Sequence, residues 1–189
     1  MLKRATIRKI YRETVLSLRK VNENNFNEIP APCRYCLYWQ TAGEFGESEL
    51  KPNQAEEKRR WFRDVAKEFG SCAEIAYVDG KPAGFVQFAP LKFFPRAREY
   101  ASGPLSENAV FIACLYLTQK EARGRGYGST MLERVLTDLT GRGFKAVETF
   151  GRRSSGDNPS GPVSLYLKHG FRIKNEKDDF PLLSNEPQA

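Results

Sequence analysis

Apolar positions along the chain repeat with two different periods, and the changes of period mark its elements. Residues 15–21, VLSLRKV, alternate apolar and polar and predict a first strand. The stretch 22–29, NENNFNEI, predicts a short helix that the following Pro-Ala-Pro breaks. A loop at 41–52, TAGEFGESELKP, leads to Asn53 and Glu56, the two ends of a capping box. Behind them Trp61, Phe62, Val65, Ala66 and Phe69 fall on one helical face, with Gly70 as terminator. AEIAYV (73–78) and FVQFA (85–89) read as strands joined by DGKPAG, where Asp79-Gly80 carries turn chemistry and Pro90 is a stop. Residues 91–100 predict a short helix.

VFIACLYL, residues 110–117, holds eight residues without a charge, the mark of a central strand covered on both faces. A glycine-rich loop follows, then a helix whose apolar face is Met131, Leu132, Val135, Leu136 and Leu139 and which Gly141 and Gly143 end. KAVETF is the next strand, SGPVSLYLKHG a short helix capped near His169 and closed by Gly170, and FRI the start of another strand. Strands with interspersed helices and one antiparallel hairpin predict an α/β fold on a mixed sheet. The expected organisation is one domain over 15–184, preceded by an extension at 1–14 and followed by a frayed tail at 185–189.

Composition narrows the class. At 189 residues the chain has room for one well-buried domain. No run nears the roughly 18 apolar residues of a membrane span. Charges interrupt the N-terminus where a secretory signal would be apolar, so the expected compartment is cytoplasmic. The formal charge of +7 is concentrated at one end, where Lys3, Arg4, Arg8, Lys9, Arg12, Arg19 and Lys20 face Glu13 alone. The rest of the chain is close to neutral, which argues against nucleic acid as a partner. Four cysteines in no repeating pattern argue against a disulfide framework. The single histidine excludes His-rich metal sites, and no metal is expected.

The segment that carries chemistry is ARGRGYGSTMLERVL. It leaves the buried strand through Arg123-Gly124-Arg125-Gly126-Tyr127-Gly128 and enters a helix. Glycines allow a tight turn and close approach of a ligand to the main chain. The first amides of a helix lack internal partners and sit at the positive end of its dipole, a setting that binds phosphate. Spacing excludes two alternatives: Ser129 stands where a dinucleotide fold needs its third glycine, and no G-K-[ST] string exists for a Walker loop. A glycine-rich turn without a ligand stays open on these residues alone.

Arg123-x-x-Gly126-x-Gly128, after a buried strand and opening a helix, resembles the coenzyme A motif of the GNAT acyltransferase superfamily. SLYLKHGF, Ser164 to Phe171, resembles that family's late Leu-Tyr-x-x-x-Gly-Phe junction, and the order of elements agrees from residue 15 to about 184. The resemblance implies a mostly antiparallel twisted sheet, flanked by helices and split between the VFIACLYL and KAVETF strands to form a cleft for acetyl-CoA. It implies that Cys114, Leu115, Tyr116 and Leu117 pair with the pantetheine arm. Gly124, Arg125, Gly126, Tyr127, Gly128, Ser129 and Thr130, with Arg123, would hold the pyrophosphate, and Asn158 would add a further contact. The implied reaction is N-acetylation of a primary amine by direct attack on the thioester. An N–H near Leu115 would polarise the carbonyl, Tyr166 would act as general acid and Glu148 as general base through water. Two departures stand out: one extra residue between Leu117 and Arg123, and Pro159 where the family commonly has asparagine.

The segment PCRYCLYWQ, 32–40, admits more than one reading. Cys33 and Cys36 have the spacing of half a zinc site or of a redox pair. Zinc would need Cys72 and Cys114 from distant strands, and the strand-to-helix setting of a thioredoxin-like pair is absent. In GNAT-like proteins this region borders the acceptor pocket. Tyr35, Tyr38 and Trp39 would then form an aromatic wall, Glu44, Glu47 or Glu49 would attract a cationic amine, and Gln87 and Phe88 would add lining. Simple packing of the insertion onto the sheet is the competing account. The expected acceptor is a small-molecule or peptide amine, with a homodimer left open. The alternative function is a non-catalytic acyl-CoA-binding regulatory module.

Overall fold

The alternating segment near the start of the chain is the edge strand β1, Leu16–Lys20, in a computed structural model that describes residues 15–43 and 52–186. β1 pairs antiparallel with β2, Ala73–Val78, which pairs antiparallel with β3, Lys81–Pro90. Asp79 and Gly80, at φ +50° and +76°, make the tight turn between them. β3 pairs antiparallel with β4, Val110–Leu117, and β4 runs parallel to β5, Val147–Phe150. Beyond β5 come β6, Arg172–Asn175, and β7, Leu182–Asn185, so that the sheet order is β1-β2-β3-β4-β5-β7-β6. The mixed, mostly antiparallel sheet expected from the sequence is present.

Helices cover both faces. On one face α1, Pro52–Glu68, sets Phe62 and Val65 against Phe26, Ile29 and Trp39 and the sheet residues Ile75, Phe85, Phe111 and Phe150. On the other, α2, Tyr127–Gly141, packs Met131, Leu132, Val135 and Leu139 on Val86, Phe88, Val110 and Ile112. The short α3, Val163–Lys168, adds Val163 and Tyr166 to that second layer. Each large apolar side chain so buried contributes about 1.5–3 kcal/mol.

Two irregularities of β4 shape the molecule. It pairs with β5 only from Val110↔Val147 to Ile112↔Thr149, after which the two strands part. Against β3 the register passes from Phe88↔Ile112 to Gln87↔Cys114, leaving Ala113 as an extra residue. This bulge puts the consecutive residues Ala113 and Cys114 in the layer beneath α1, while Ile112 and Leu115 join the layer beneath α2.

Several boundaries differ from expectation. The helix read over 22–29 is a single 3-10 turn at Phe26–Glu28, and the one over 91–100 is two, Leu91–Phe93 and Pro95–Glu99. α1 starts at Pro52, so Asn53 lies inside it, and Glu56 pairs instead with Arg59 at 3.7 Å and Arg63 at 3.6 Å. β7 is unanticipated and runs to Asn185, one residue into the segment read as a tail. Leu182 and Leu183 anchor it, fully buried. The basic extension at 1–14 lies outside the described residues, as do 44–51 and 187–189.

Gly151 ties β5 to its neighbours. A Cβ there would stand 2.9 Å from Leu183 Cδ1 and 3.2 Å from the Val163 backbone, so neither β7 nor α3 has room to yield freely. Gly151→Ala is therefore expected to lower stability by about 1–3 kcal/mol, read as a drop in the urea midpoint at unchanged slope.

Candidate active site

The parting of β4 from β5 opens a groove whose floor is set by glycine. Gly124 and Gly126 take φ of +72° and +83°, a region that side chains avoid, and a Cβ at either would meet nothing within 4 Å. The demand is therefore on the backbone, and the space beside it is open. Gly126 is the N-cap of α2 and no side chain caps the helix, so the amides of its first turn keep no side-chain partner. Gly124, Gly126, Gly128 and Ser129 line a groove of about 240 Å³ with Leu115, Tyr116 and Leu117 of β4 across from them. Asn158, Gly161, Pro162 and Leu165 close its end.

Arg123 braces this groove. Its Nε donates to Leu117 O at 3.0 Å, and its guanidinium reaches the Tyr116 hydroxyl and Asp157 Oδ1, each at 2.9 Å. The Tyr116 hydroxyl in turn donates to Asp157 Oδ1 at 2.9 Å. That hydroxyl bond, with the neighbouring Arg123 charge, holds the Asp157 carboxyl below its ordinary range.

A second cavity, of about 670 Å³, meets the groove at Asn158, which lines both. Its wall carries Cys36, Tyr38, Trp39, Tyr100, Cys114 and Phe180, with Asp178 and with Glu99, whose carboxylate pairs with Arg96 at 3.4 Å and accepts Gly43 N at 2.7 Å. Trp39 stacks on Tyr100 at 5.1 Å between centroids, and Tyr100 stacks on Phe150 at 4.4 Å. The Tyr38 and Tyr100 hydroxyls share a hydrogen bond of 3.1 Å, and burial pushes the Tyr100 phenol well above its ordinary range. The wall is thus rigid and aromatic, and Asp178 is the acidic residue on it that makes no ion pair with Arg96.

Residues 156–161 lie between groove and cavity and engage the groups that chemistry there would use. The Leu115 N–H donates to Pro159 O at 2.8 Å, and the Tyr166 hydroxyl donates to Ser160 O at 2.7 Å. Tyr166 is fully buried, and burial raises its phenol above the ordinary range. A Cβ on Gly161 would stand 3.3 Å from that hydroxyl and 3.5 Å from Leu115 O. One thickness of backbone, Ser160–Gly161, therefore separates Tyr166 from the junction of the two spaces. The Leu115 N–H read from sequence as a carbonyl-polarising donor is occupied by this segment.

The remaining sequence candidates divide. Leu115, Tyr116, Leu117, Arg123, Gly124, Gly126, Gly128, Ser129 and Asn158 line the groove, whereas Arg125, Tyr127 and Thr130 do not. Cys114 lines the second cavity instead, because the bulge turns it to that side. Tyr38 and Trp39 line the cavity; Tyr35 lines neither space and its hydroxyl takes a bond from Arg34 at 2.9 Å. Gln87 and Phe88 are fully buried within the layers and line neither. Glu44, Glu47 and Glu49 lie outside the described residues. Glu148 is a correction. It is fully buried on the still-paired part of β5, and it accepts Ser106 N at 2.7 Å, Ser106 Oγ at 3.0 Å and Lys174 Nζ at 2.7 Å. It lines neither space, and its oxygens are committed to fixing that end of the sheet.

Sequence reasoning missed Glu99, Tyr100, Asp178 and Phe180, which come from two segments distant in sequence that only the fold joins. Gly156 and Gly161 were legible as glycines, but nothing local tied them to the groove. Among the described residues no three His, Cys, Asp or Glu side chains converge to hold a metal ion, and no helix is long and apolar enough to cross a membrane.

Comparison with known proteins gives the chain a family and its fold several relatives. The model of the acetyltransferase (GNAT) family matches residues 34–171. No curated protein matches the sequence. The fold resembles PaiA N-acetyltransferase from Thermoplasma acidophilum, solved with coenzyme A, at TM-score 0.58 and 17% identity over 91% of this chain and 99% of that one. An N-acetyltransferase from Staphylococcus aureus Mu50 gives TM-score 0.60 and 17% identity, covering 91% and 98%. Arabidopsis thaliana Naa50, solved with a bisubstrate analogue, gives 0.54 and 15%, covering 90% and 98%.

Because Glu148 braces Ser106 and Lys174, Glu148→Gln is expected to lower stability by about 1–3 kcal/mol in urea unfolding. The pH dependence of any turnover at the cleft should stay in place, since a general base at this position would move it.

Proposed function

The chain belongs to the acetyltransferase (GNAT) family, and from that premise we propose that it moves an acetyl group from acetyl-CoA to a primary amine by direct attack. The observation that carries the reading is the meeting of two spaces at Asn158: a groove floored by uncapped helix amides, and an aromatic cavity lined by Asp178. The open backbone at Gly124 and Gly126 fits a pyrophosphate, and Leu115 to Leu117 present strand edge for the arm that follows it. Bound there, acetyl-CoA supplies an already activated thioester.

The chain's own residues then position and protonate. Asp178 attracts an ammonium into the cavity, where Trp39, Tyr100 and Phe180 offer faces to its apolar body. The small neutral fraction of that amine is the attacking species, and holding it at the junction supplies much of the rate. Tyr166 is the acid for the departing thiolate: burial keeps its phenol protonated, and the proton it gives up is made good by the one the attacking amine sheds. For this the 156–161 segment must release the Tyr166 hydroxyl and the Leu115 amide, which then becomes free to polarise a carbonyl. Those same two engaged groups favour the second reading, a module that binds acyl-CoA without turning it over.

Thiol release from acetyl-CoA across a panel of amines decides between them. Tyr166→Phe should lower kcat about 10²–10⁴-fold while acetyl-CoA affinity by calorimetry stays within about twofold. Binding without acetylation of any amine by the wild type would remove the catalytic reading. Asp178→Asn should raise KM for cationic amines about tenfold and leave acetyl-CoA affinity in place, which tests the cavity as the acceptor site.

A further inference from the structure

The segment PCRYCLYWQ holds two thiols that acyl transfer does not use. The Cys36 N–H donates to Pro32 O at 3.1 Å and also, at 3.4 Å, to Cys33 O, so residues 33–36 close a single turn. The ends of such a turn lie within about 7 Å of each other, overlapping the span of about 4.4–6.8 Å that a disulfide bridges. The two thiols differ in access. Cys33 is 8% exposed and packs in the core with Trp39 and Phe62, whereas Cys36 is half-buried and lines the second cavity. Lys58, buried on α1, donates Nζ to Cys36 O at 2.8 Å and so ties the turn to that helix, while burial pulls its ammonium below the ordinary lysine range. All four cysteines of the chain are free.

We propose that Cys33 and Cys36 are a redox-active dithiol in the wall of the second cavity, oxidised by low-molecular-weight disulfides that enter it. Cys36 is the attacking thiol and Cys33 the resolving one. The Cys36 thiolate attacks one sulfur of the incoming disulfide; that S–S bond breaks, and one small thiol leaves with a proton. Cys33 then attacks the Cys36 sulfur of the mixed disulfide and gives up its proton, and the second small thiol leaves. Two protein thiols become one disulfide, and the external disulfide becomes two thiols. Burial pushes the Cys33 thiol up to about 12, and the departing small thiolate takes the Cys33 proton as the new S–S bond forms. The bridge would fix the turn that leads directly into Tyr38 and Trp39, two members of the cavity wall. This assignment stands on the turn and its two thiols and does not depend on which amine, if any, is acetylated.

The test equilibrates the full chain against a series of reduced and oxidised glutathione mixtures, followed by acid quench, alkylation and peptide mapping. Cleavage after Arg34 separates the two cysteines, so a bridge appears as a linked peptide pair. The expected result is one transition in which a Cys33–Cys36 bridge forms while Cys72 and Cys114 remain alkylatable after unfolding. Cys33→Ala should accumulate a glutathione adduct on Cys36 that the wild type resolves at least about tenfold faster. The wild-type map carries the test by itself if Cys33→Ala fails a near-UV circular dichroism check of its fold. Thiols at 33 and 36 that persist across the series, a bridge from Cys36 to Cys114, or a wild-type adduct as long-lived as the variant's would overturn the proposal.

Discussion

Everything at the cleft follows from the short embrace of β4 and β5. Three residue pairs hold the strands together, and then they part. A strand interior cannot be left with open backbone groups, so the parting creates a demand that something outside the sheet must meet. In this structure residues 156–161 meet it, through Pro159 O on the Leu115 amide. The bulge at Ala113 sits at the same level and rotates the residues that follow. It sends Cys114 toward the aromatic cavity and Leu115 toward the glycine groove, so one extra residue in one strand creates two differently lined spaces.

The two spaces differ in character, and this is where the fold acquires direction. The groove is floored by helix amides at the positive end of a dipole and braced by Arg123. The cavity is lined by Asp178 and by Glu99, the latter paired with Arg96. The two differently lined spaces meet at one residue, Asn158. Arg123 is itself neutralised by Asp157, which keeps the groove mouth from being an indiscriminate anion trap. Behind the cavity, the stack from Trp39 through Tyr100 to Phe150 transmits the rigidity of the central strands to a segment with little regular structure of its own.

Period and glycine placement made most of this fold legible in the sequence. The charge-free octet announced a central strand, and the run from Arg123 to Gly128 announced a groove, because both signals lie within one stretch of chain. Legibility failed where tertiary contact overrides local preference. β7 is four residues long, and what makes it a strand is the burial of Leu182 and Leu183 against β5, β6 and their neighbours rather than any alternation. Glu148 looked like a cleft carboxylate because it lies on a flanking strand, but only the three-dimensional register puts it below the point where the strands part. Gln87 and Phe88 lie on β3, on the far side of β4 from the parting, and are buried within the layers. The carboxylates that do face the cavity, Glu99 and Asp178, belong to segments with no motif at all, and seventy-nine positions of chain separate them.

The cysteine segment shows how a weak local signal can change meaning without disappearing. Two thiols at this spacing suggested a metal site, yet no third ligand joins them among the described residues. What the fold supplies in place of further ligands is asymmetry: one thiol in the core, one on a cavity, and a buried lysine hydrogen-bonded to the turn between them. Burying an ammonium carries a desolvation penalty that an aliphatic residue of similar length would avoid. Lys58 ties α1 to the carbonyl of Cys36 and the side chain of Gln40, at either end of the stretch that holds Tyr38 and Trp39. The same contact that fixes the cavity's aromatic wall therefore fixes the turn that carries its two thiols.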